Sequence, residues 1–161
     1  MPILMLKRRT RRRSDPMKGR RCMTHRDPGD AMSKKILIAD DEPHVSKILA
    51  MKLRNAGYAV ESARNGEEGL RLADRFSPDL VITDLQMPGL DGFALALALR
   101  EARSTSDTPV IMLTARGHKL SPADLSKTNI GSVFSKPFSA NEILETVIKT
   151  IGPSGPAGVA A

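Results

Sequence analysis

The 161 residues suffice for one ordinary domain, and a content of 40% apolar and 27% charged residues is typical of a globular protein. No apolar run approaches the ~20 residues of a membrane-spanning helix, so the sequence predicts no membrane partner. The formal net charge of +7 lies wholly in residues 1–33, which hold ten lysines and arginines and three aspartates, and the remainder is balanced.

Residues 1–33 are predicted to form a basic, disordered arm. They cluster like charges and show no helical or strand period. They also lack aromatic side chains that could stack on bases, so a plain solvated tail, or a true start at Met32, is a better interpretation than nucleic-acid binding. No secretory pattern is present and Cys22 is the only cysteine, so we expect a cytoplasmic protein without an internal disulfide.

From Lys34 onward, short runs rich in β-branched residues alternate with helical patterns. The runs are predicted strands at residues 35–40, 58–63, 79–84, 109–115 and 131–136. The second run alternates like an edge strand, whereas the other four are apolar throughout, as expected for strands covered on both faces. Strands separated by helices form βαβ units. The sequence therefore predicts an α/β, flavodoxin-like, doubly wound parallel sheet of five strands in order 2-1-3-4-5, with helices on both faces.

Capping residues predict where the helices begin. The first helix follows Pro43 and presents an apolar face made of Val45, Ile48, Leu49 and Leu53. The predicted N-caps of the second, third and last helices are Asn65, Asp91 and Ser139, the last in a capping box with Glu142. Ser121-Pro122 predicts a late start for the fourth helix, which leaves residues 115–121 as a loop.

Polar side chains follow several strands at the carboxyl edge of the predicted sheet, where ligands bind in folds of this kind. Strand 1 ends in Asp40-Asp41-Glu42, strand 3 in Asp84, strand 4 in Thr114 and strand 5 in Lys136. Strands 1, 3 and 4 are neighbours in the predicted order. We therefore expect carboxylates, a hydroxyl and an ammonium group to converge on one crevice.

The clustered carboxylates predict a magnesium site. Like charges a few ångströms apart repel one another, and a divalent cation that prefers oxygen ligands relieves the repulsion. Mg²⁺ suits such a site because it takes one or two carboxylates and keeps several waters. We predict Asp41 and Asp84 as ligands, Asp40 in the outer shell, and the backbone carbonyl of Gln86 as a further ligand.

The same residues predict phosphoryl chemistry. Asp84 is a carboxylate nucleophile that could form an acyl phosphate, while Mg²⁺ and Lys136 neutralise the phosphoryl oxygens and Thr114 donates its hydroxyl. A Mg²⁺-dependent phosphohydrolase with Asp84 as nucleophile is the alternative, but the second acid that such an enzyme needs is replaced by Gln86. A mononucleotide-binding module would need a glycine-rich loop where this chain has acids.

The segment from Lys34 to about Gly152 resembles the receiver domain of two-component response regulators. The resemblance rests on four motifs: Asp40-Asp41, "DLQMPGLDG" (84–92), "LTARG" (113–117) and "SKPF" (135–138). Each motif is weak alone, but the four together, in this order and spacing, are highly specific. The predicted domains are thus the arm at 1–33, a receiver at 34–152 and a flexible tail at 153–161.

The resemblance implies a function and partners. Asp84 would be phosphorylated by a sensor histidine kinase or a histidine phosphotransfer protein, with Mg²⁺ required, and Lys136-Pro137 would be a cis peptide. Thr114 would then switch the surface of helix 4, strand 5 and helix 5, through which a weak or phosphorylation-dependent dimer is expected. We expect a single-domain signalling protein rather than an enzyme, without a DNA-binding domain and with a downstream protein target.

One departure from the family pattern concerns the switch. Many members carry an aromatic residue three positions before the lysine, and here that residue is Val133. Phe134 is adjacent but should point to the opposite face of the strand. We therefore expect no aromatic rotation coupled to Thr114, and a larger role for the loop at 115–121.

Overall fold

The computed structural model describes residues 33–115 and 119–154. The predicted arm, apart from Ser33, residues 116–118 of the predicted loop and most of the predicted tail lie outside the described residues. Within them, no helix combines the length and apolarity needed to cross a bilayer. The elements in chain order are β1 (Lys35–Ala39), α1 (Pro43–Asn55), β2 (Ala59–Ala63), α2 (Gly66–Phe76), β3 (Leu80–Asp84), α3 (Gly92–Glu101), β4 (Val110–Thr114), α4 (Pro122–Ser126), β5 (Ile130–Ser135) and α5 (Ala140–Ile151).

The strands form one parallel sheet in the order β2-β1-β3-β4-β5, which confirms the predicted flavodoxin-like topology. Ala39 of β1 lies beside Thr83 of β3, and Asp84 lies beside Leu113 of β4. Because the strands are parallel and paired in this register, their carboxyl ends form one edge of the sheet. The residues that follow β1 and end β3 are therefore neighbours.

The sheet has a covered centre and two exposed edges. All residues of β3 and β4 are buried, as their continuous apolar runs predict. β2 is exposed at Glu61 and Ser62 and is the predicted edge strand. The prediction that strand 5 is covered on both faces is wrong, because only Ile130 of β5 is buried and Val133 is 40% exposed. Among the described strands β5 pairs only with β4, and the short α4 buries no residue.

Two helices cover each face of the sheet centre. Residues of α1 and α5 pack on one face in a single apolar cluster, and α2 and α3 pack on the other. On α1, Leu49 and Leu53 are buried as predicted, but Ile48 is 46% exposed. Ser46 and Ala50 complete the buried stripe instead, because Ile48 is turned about 100° from Leu49 on the helix.

The predicted caps are confirmed. The side chains of Asn65 and Asp91 accept hydrogen bonds from backbone N–H groups three residues further on, each at 2.8 Å. Ser139 and Glu142 form the reciprocal capping box at the start of α5. Ser121 opens α4 in the same way, and the resulting helix has only five residues.

The segment that follows α5 is tied to the amino end of the sheet. The Lys34 N–H group donates to Ser154 Oγ at 2.8 Å, and Ser154 Oγ donates to the Gly57 carbonyl at 2.9 Å. The buried Tyr58 hydroxyl donates to the Gly152 carbonyl at 2.7 Å. Residues 34 and 154 are thus held side by side.

Candidate phosphoryl and metal site

The residues predicted at the strand ends meet at the carboxyl edge of the sheet. Asp40 directly follows β1, Asp84 is the last residue of β3, and Lys136 directly follows β5. Backbone hydrogen bonds extend the sheet past these ends. The Asp40 N–H group donates to the Ala63 carbonyl at 3.1 Å, and the Lys136 N–H group donates to the Thr114 carbonyl at 2.7 Å.

The Lys136 ammonium group lies among three carboxylates. Its Nζ is 2.9 Å from Glu42 Oε1, 3.3 Å from Asp84 Oδ2 and 3.6 Å from Asp40 Oδ2. The Asp40 and Asp84 side chains are almost fully buried, whereas that of Glu42 is 58% exposed. A single positive charge therefore faces more negative charge than it can balance.

The acidic cluster fits a divalent cation. Asp40, Asp41, Glu42 and Asp84 each place a carboxylate oxygen within 4.8 Å of the others. The buried Asp40 Oδ2 accepts no hydrogen bond from any described residue. An uncompensated buried carboxylate oxygen is costly, and an oxygen-seeking cation would satisfy it. The donor set matches the preference of Mg²⁺ for carboxylates.

The electrostatics of the site follow from burial. Desolvation raises the pKa of Asp40 to about 6, despite the backbone hydrogen bond from Glu42 and the charge of Lys136. Desolvation also raises the pKa of Asp84, against the opposing influence of Lys136. Burial of Lys136 acts to lower its pKa, but its bond to Glu42 and the charges of Asp40 and Asp84 give a net rise. The ionised forms of Asp40 and Asp84 are therefore less favourable in this site than they would be in water.

An open cleft of about 700 Å³ lies over the cluster. Its wall includes Asp41, Asp84, Gln86 and Lys136, so four of the predicted site residues border one space. The Gln86 N–H group donates to Asp84 Oδ1 at 3.3 Å, which leaves Oδ2 to Lys136. The Gln86 carbonyl as a metal ligand stays a prediction.

Thr114 is at the predicted strand end but fully buried. Its hydroxyl donates to the Phe134 carbonyl at 3.4 Å, and Ala115 rather than Thr114 borders the cleft.

Phe134 packs against the apolar cluster on the α1 and α5 face, whereas the exposed Val133 lies beside Met112, which belongs to the opposite cluster. The two side chains thus point to opposite faces, as predicted. The Lys136-Pro137 bond is cis.

Sequence reasoning missed a glycine that positions Asp84. The Gly92 N–H group donates to the Leu85 carbonyl at 3.0 Å and brings the start of α3 against the end of β3. A Cβ atom on Gly92 would lie 2.1 Å from the Asp84 carbonyl oxygen. The signal in the sequence was the Gly that directly follows the predicted cap Asp91. Glu42 was also noted at the end of strand 1, but no role was assigned to it.

Comparisons with known proteins agree with this geometry. Residues 36–148 match the profile of the response regulator receiver domain. The DNA-binding dual master transcriptional regulator RpaA of Synechocystis sp. is 38% identical over 113 residues, which are 70% of this chain and 47% of that protein. The chain therefore spans less than half the length of that relative.

Solved structures share the fold. The response regulator TrrA of Thermotoga maritima, solved with Mg²⁺ and BeF, has a TM-score of 0.65 and 35% identity, covering 73% of this chain and 99% of that one. The receiver domain of a Pseudomonas aeruginosa sensor histidine kinase has a TM-score of 0.66 and 26% identity, covering 74% and 98%. Magnesium is coordinated in its active-site cleft.

The described sheet, the strand-end residues and the matched profile define one class of protein. The chain belongs to the family of response regulator receiver domains. Phosphorylation on aspartate and Mg²⁺ binding are general to this family.

The comparisons contradict the partner prediction. We expected no DNA-binding domain, a downstream protein target and a dimer through helix 4, strand 5 and helix 5. Curated relatives of this chain are instead transcriptional regulators, one of them named as DNA-binding. The error came from inferring the lack of a DNA-binding domain from the short segment that follows Ile151. The position of a chain end does not support that inference.

Mg²⁺ is expected to raise the thermal unfolding midpoint of the protein. A ligand that binds only the folded state stabilises it by about 2.7 kcal/mol at one hundred times its dissociation constant. The Asp41→Asn variant should lose most of this gain because it removes a predicted ligand. The gain is measured as the difference between the thermal unfolding midpoints with Mg²⁺ and with a chelator. The matched control is Asp74→Asn, which removes an exposed acid of α2. Equal gains in the Asp41 and Asp74 variants would contradict Asp41 as a ligand.

Proposed function

We propose that this protein accepts a phosphoryl group on Asp84 from a histidine kinase or histidine phosphotransfer protein, in a Mg²⁺-dependent reaction. The observation that carries the proposal is the juxtaposition of a buried Asp84 carboxylate with the Lys136 ammonium group, 3.3 Å apart, at the edge of an open acidic cleft. The protein acts as an acceptor and a switch rather than as a turnover enzyme. Gln86 stands where a phosphohydrolase of this type would need a second acid.

The transfer is a displacement at phosphorus. A carboxylate oxygen of Asp84 forms a bond to phosphorus as the bond between phosphorus and the donor's imidazole nitrogen breaks, and the electron pair of that bond returns to the nitrogen. Ionised Asp84 needs no general base. The Gln86 N–H group holds Oδ1, which orients the carboxylate in the cleft.

Lys136 supplies positive charge where the transferred oxygens carry negative charge. Its Nζ lies 3.3 Å from Asp84 Oδ2, so it stands next to the group that receives the phosphoryl oxygens. Asp40, Asp41 and the Gln86 carbonyl would hold the metal together with Asp84. A bound Mg²⁺ ion supplies further neutralisation of the phosphoryl oxygens.

Thr114 connects the reaction to the rest of the sheet. A phosphoryl group adds strong acceptor oxygens, to which the Thr114 hydroxyl can turn from the weak 3.4 Å bond to Phe134. One charge-assisted hydrogen bond contributes about 1.5–3 kcal/mol, whereas a shift from 1:99 to 99:1 needs about 5.5 kcal/mol. Lys136 and repacking of the segment after β4 must therefore contribute the remainder.

Phosphorylation of Asp84 is proposed to control DNA binding. This follows from similarity to RpaA, which is named as a DNA-binding transcriptional regulator. The matched region is the receiver part of this chain. The contribution of the receiver is therefore to change its surface in response to the charge at Asp84.

Phosphoryl uptake by the full chain tests the proposed function. Acetyl phosphate serves as the donor, with Mg²⁺ or with a chelator, and intact-mass spectrometry follows the product. We expect a gain of one phosphoryl group in Mg²⁺ and almost none with the chelator. An unchanged mass in Mg²⁺ would overturn the proposal, and continuous release of phosphate from unrelated esters would favour the hydrolase.

A further inference from the structure

Glu42 makes the shortest contact to the site lysine, although no role was predicted for it. Its Oε1 lies 2.9 Å from Lys136 Nζ, compared with 3.3 Å for Asp84 and 3.6 Å for Asp40. The two residues are 94 positions apart in sequence. The contact therefore joins the end of β1 to the end of β5 across the mouth of the cleft.

The Glu42 side chain has no helix-capping function. Glu42 occupies the N-cap position of α1, where side chains commonly accept a bond from the first turn, yet its carboxylate makes no such bond. Its backbone satisfies the local hydrogen bonds instead, since the N–H group donates to Asp40 Oδ1 and the carbonyl accepts from the Ser46 N–H group. The side chain is thus free to hold Lys136.

Two of the three Lys136 donors are already in use. An ammonium group has three N–H donors, and here Lys136 donates to Glu42 at 2.9 Å and to Asp84 at 3.3 Å, while Asp40 Oδ2 lies 3.6 Å away. Phosphorylation of Asp84 would add about −1.5 to −2 units of charge and three acceptor oxygens. To bind those oxygens with more than one of its donors, Lys136 must turn towards the phosphoryl group and away from Glu42. Glu42 is the most exposed of these three acids, and its carboxylate can be rehydrated most readily.

We propose that Glu42 restrains Lys136 in the unphosphorylated protein and slows phosphoryl uptake, a positioning role that rests on the proposed function. Release of Lys136 from Glu42 then accompanies transfer to Asp84. Exposed ion pairs are weak, so the restraint is a moderate one that thermal motion can break. Glu42 thereby sets how readily the site responds rather than whether it responds.

Two variants separate the restraint from the charge of Glu42. Glu42→Gln keeps the shape and removes the charge. Glu42→Asp keeps the charge but is one methylene shorter, so it withdraws the carboxylate from Lys136. Glu67→Gln, in the exposed first turn of α2, is the matched control for the change in net charge.

The experiment is a time course of phosphoryl uptake from acetyl phosphate by the full chain, at saturating Mg²⁺ and varied donor concentration. We expect Glu42→Gln to raise the maximal rate constant about twofold to fivefold, the range set by the strength of exposed ion pairs. Glu42→Asp should show a smaller rise, and Glu67→Gln none. The dissociation constant for Mg²⁺, measured by calorimetry, should change little in Glu42→Gln.

Different outcomes of this experiment would overturn the restraint by Glu42, assign Glu42 another role, or overturn the proposed function. A maximal rate for Glu42→Gln equal to or below that of the unmodified chain overturns the restraint. An unchanged maximal rate together with a lower half-saturating concentration of acetyl phosphate also overturns the restraint. That result would indicate that Glu42 simply repels the anionic donor. A tenfold or greater loss of Mg²⁺ affinity assigns Glu42 as a metal ligand instead. If the unmodified chain takes up no phosphoryl group, the proposed function itself fails.

Discussion

Asp84→Asn is expected to abolish phosphoryl uptake while leaving the protein folded and more stable. The amide is not a nucleophile for phosphorus, so the acyl phosphate cannot form. The raised pKa of Asp84 means that its ionised form is less favourable in the folded protein than in the unfolded chain. Its contribution to stability at neutral pH is therefore negative, and removal of the charge relieves the cost. Lys136 keeps Asp40 and Glu42 as partners.

Intact-mass analysis after incubation with acetyl phosphate and Mg²⁺ measures the loss, and thermal unfolding without Mg²⁺ measures the gain in stability. The stability measurement is the control, since a variant that unfolds would also fail to react. A phosphoryl group on the Asp84→Asn protein would place the acceptor elsewhere. A lower unfolding midpoint would contradict the assigned cost of the buried charge.

Gly92→Ala is expected to damage both the fold and the site. The new Cβ atom would lie 2.1 Å from the Asp84 carbonyl oxygen and 2.9 Å from Leu85 Cα. Both contacts are with backbone, so no change of rotamer relieves them. Overpacking in a buried region costs about 1–3 kcal/mol, and occasionally more. To escape the clash, α3 must move away from the end of β3, which displaces the Asp84 carboxylate from Lys136.

Urea unfolding measures the loss of stability, and the rate of phosphoryl uptake by the folded fraction measures the loss at the site. Gly131→Ala is the matched control, because no atom of the described residues, apart from its chain neighbours, lies within 4 Å of a Cβ atom built there. We expect that substitution to leave both measurements nearly unchanged. Equal behaviour of the two variants would contradict the close approach of α3 to Asp84.

The topology and the site followed from the sequence because their signals are local. Continuous apolar runs mark β3 and β4, and single capping residues such as Asn65 and Asp91 mark the helix starts. Once the strand order is known, the parallel register brings Asp40 and Asp84 together without further information. The carboxylate cluster was therefore predictable from strand ends alone.

Features that depend on which face a neighbouring element covers were not predictable in this way. Ile48 fits a helical apolar pattern, but the face that α1 buries is fixed by the sheet below it, and Ser46 lies there instead. Strand 5 was expected to be covered on both faces, but β5 lies at the edge of the described sheet and pairs there only with β4. The Glu42 contact with Lys136 joins residues 94 positions apart, so no local pattern reveals it.

The tie between Lys34 and Ser154 has a consequence for how a signal can leave this domain. Both residues lie at the amino end of β1, and five strand residues at about 3.3 Å each place that end about 16 Å from the acidic edge. The hydrogen bonds that a phosphoryl group on Asp84 would form do not reach across this distance. Chain segments that meet at the Lys34–Ser154 tie would therefore respond to Asp84 through shifts of the packed strands and helices between the two ends.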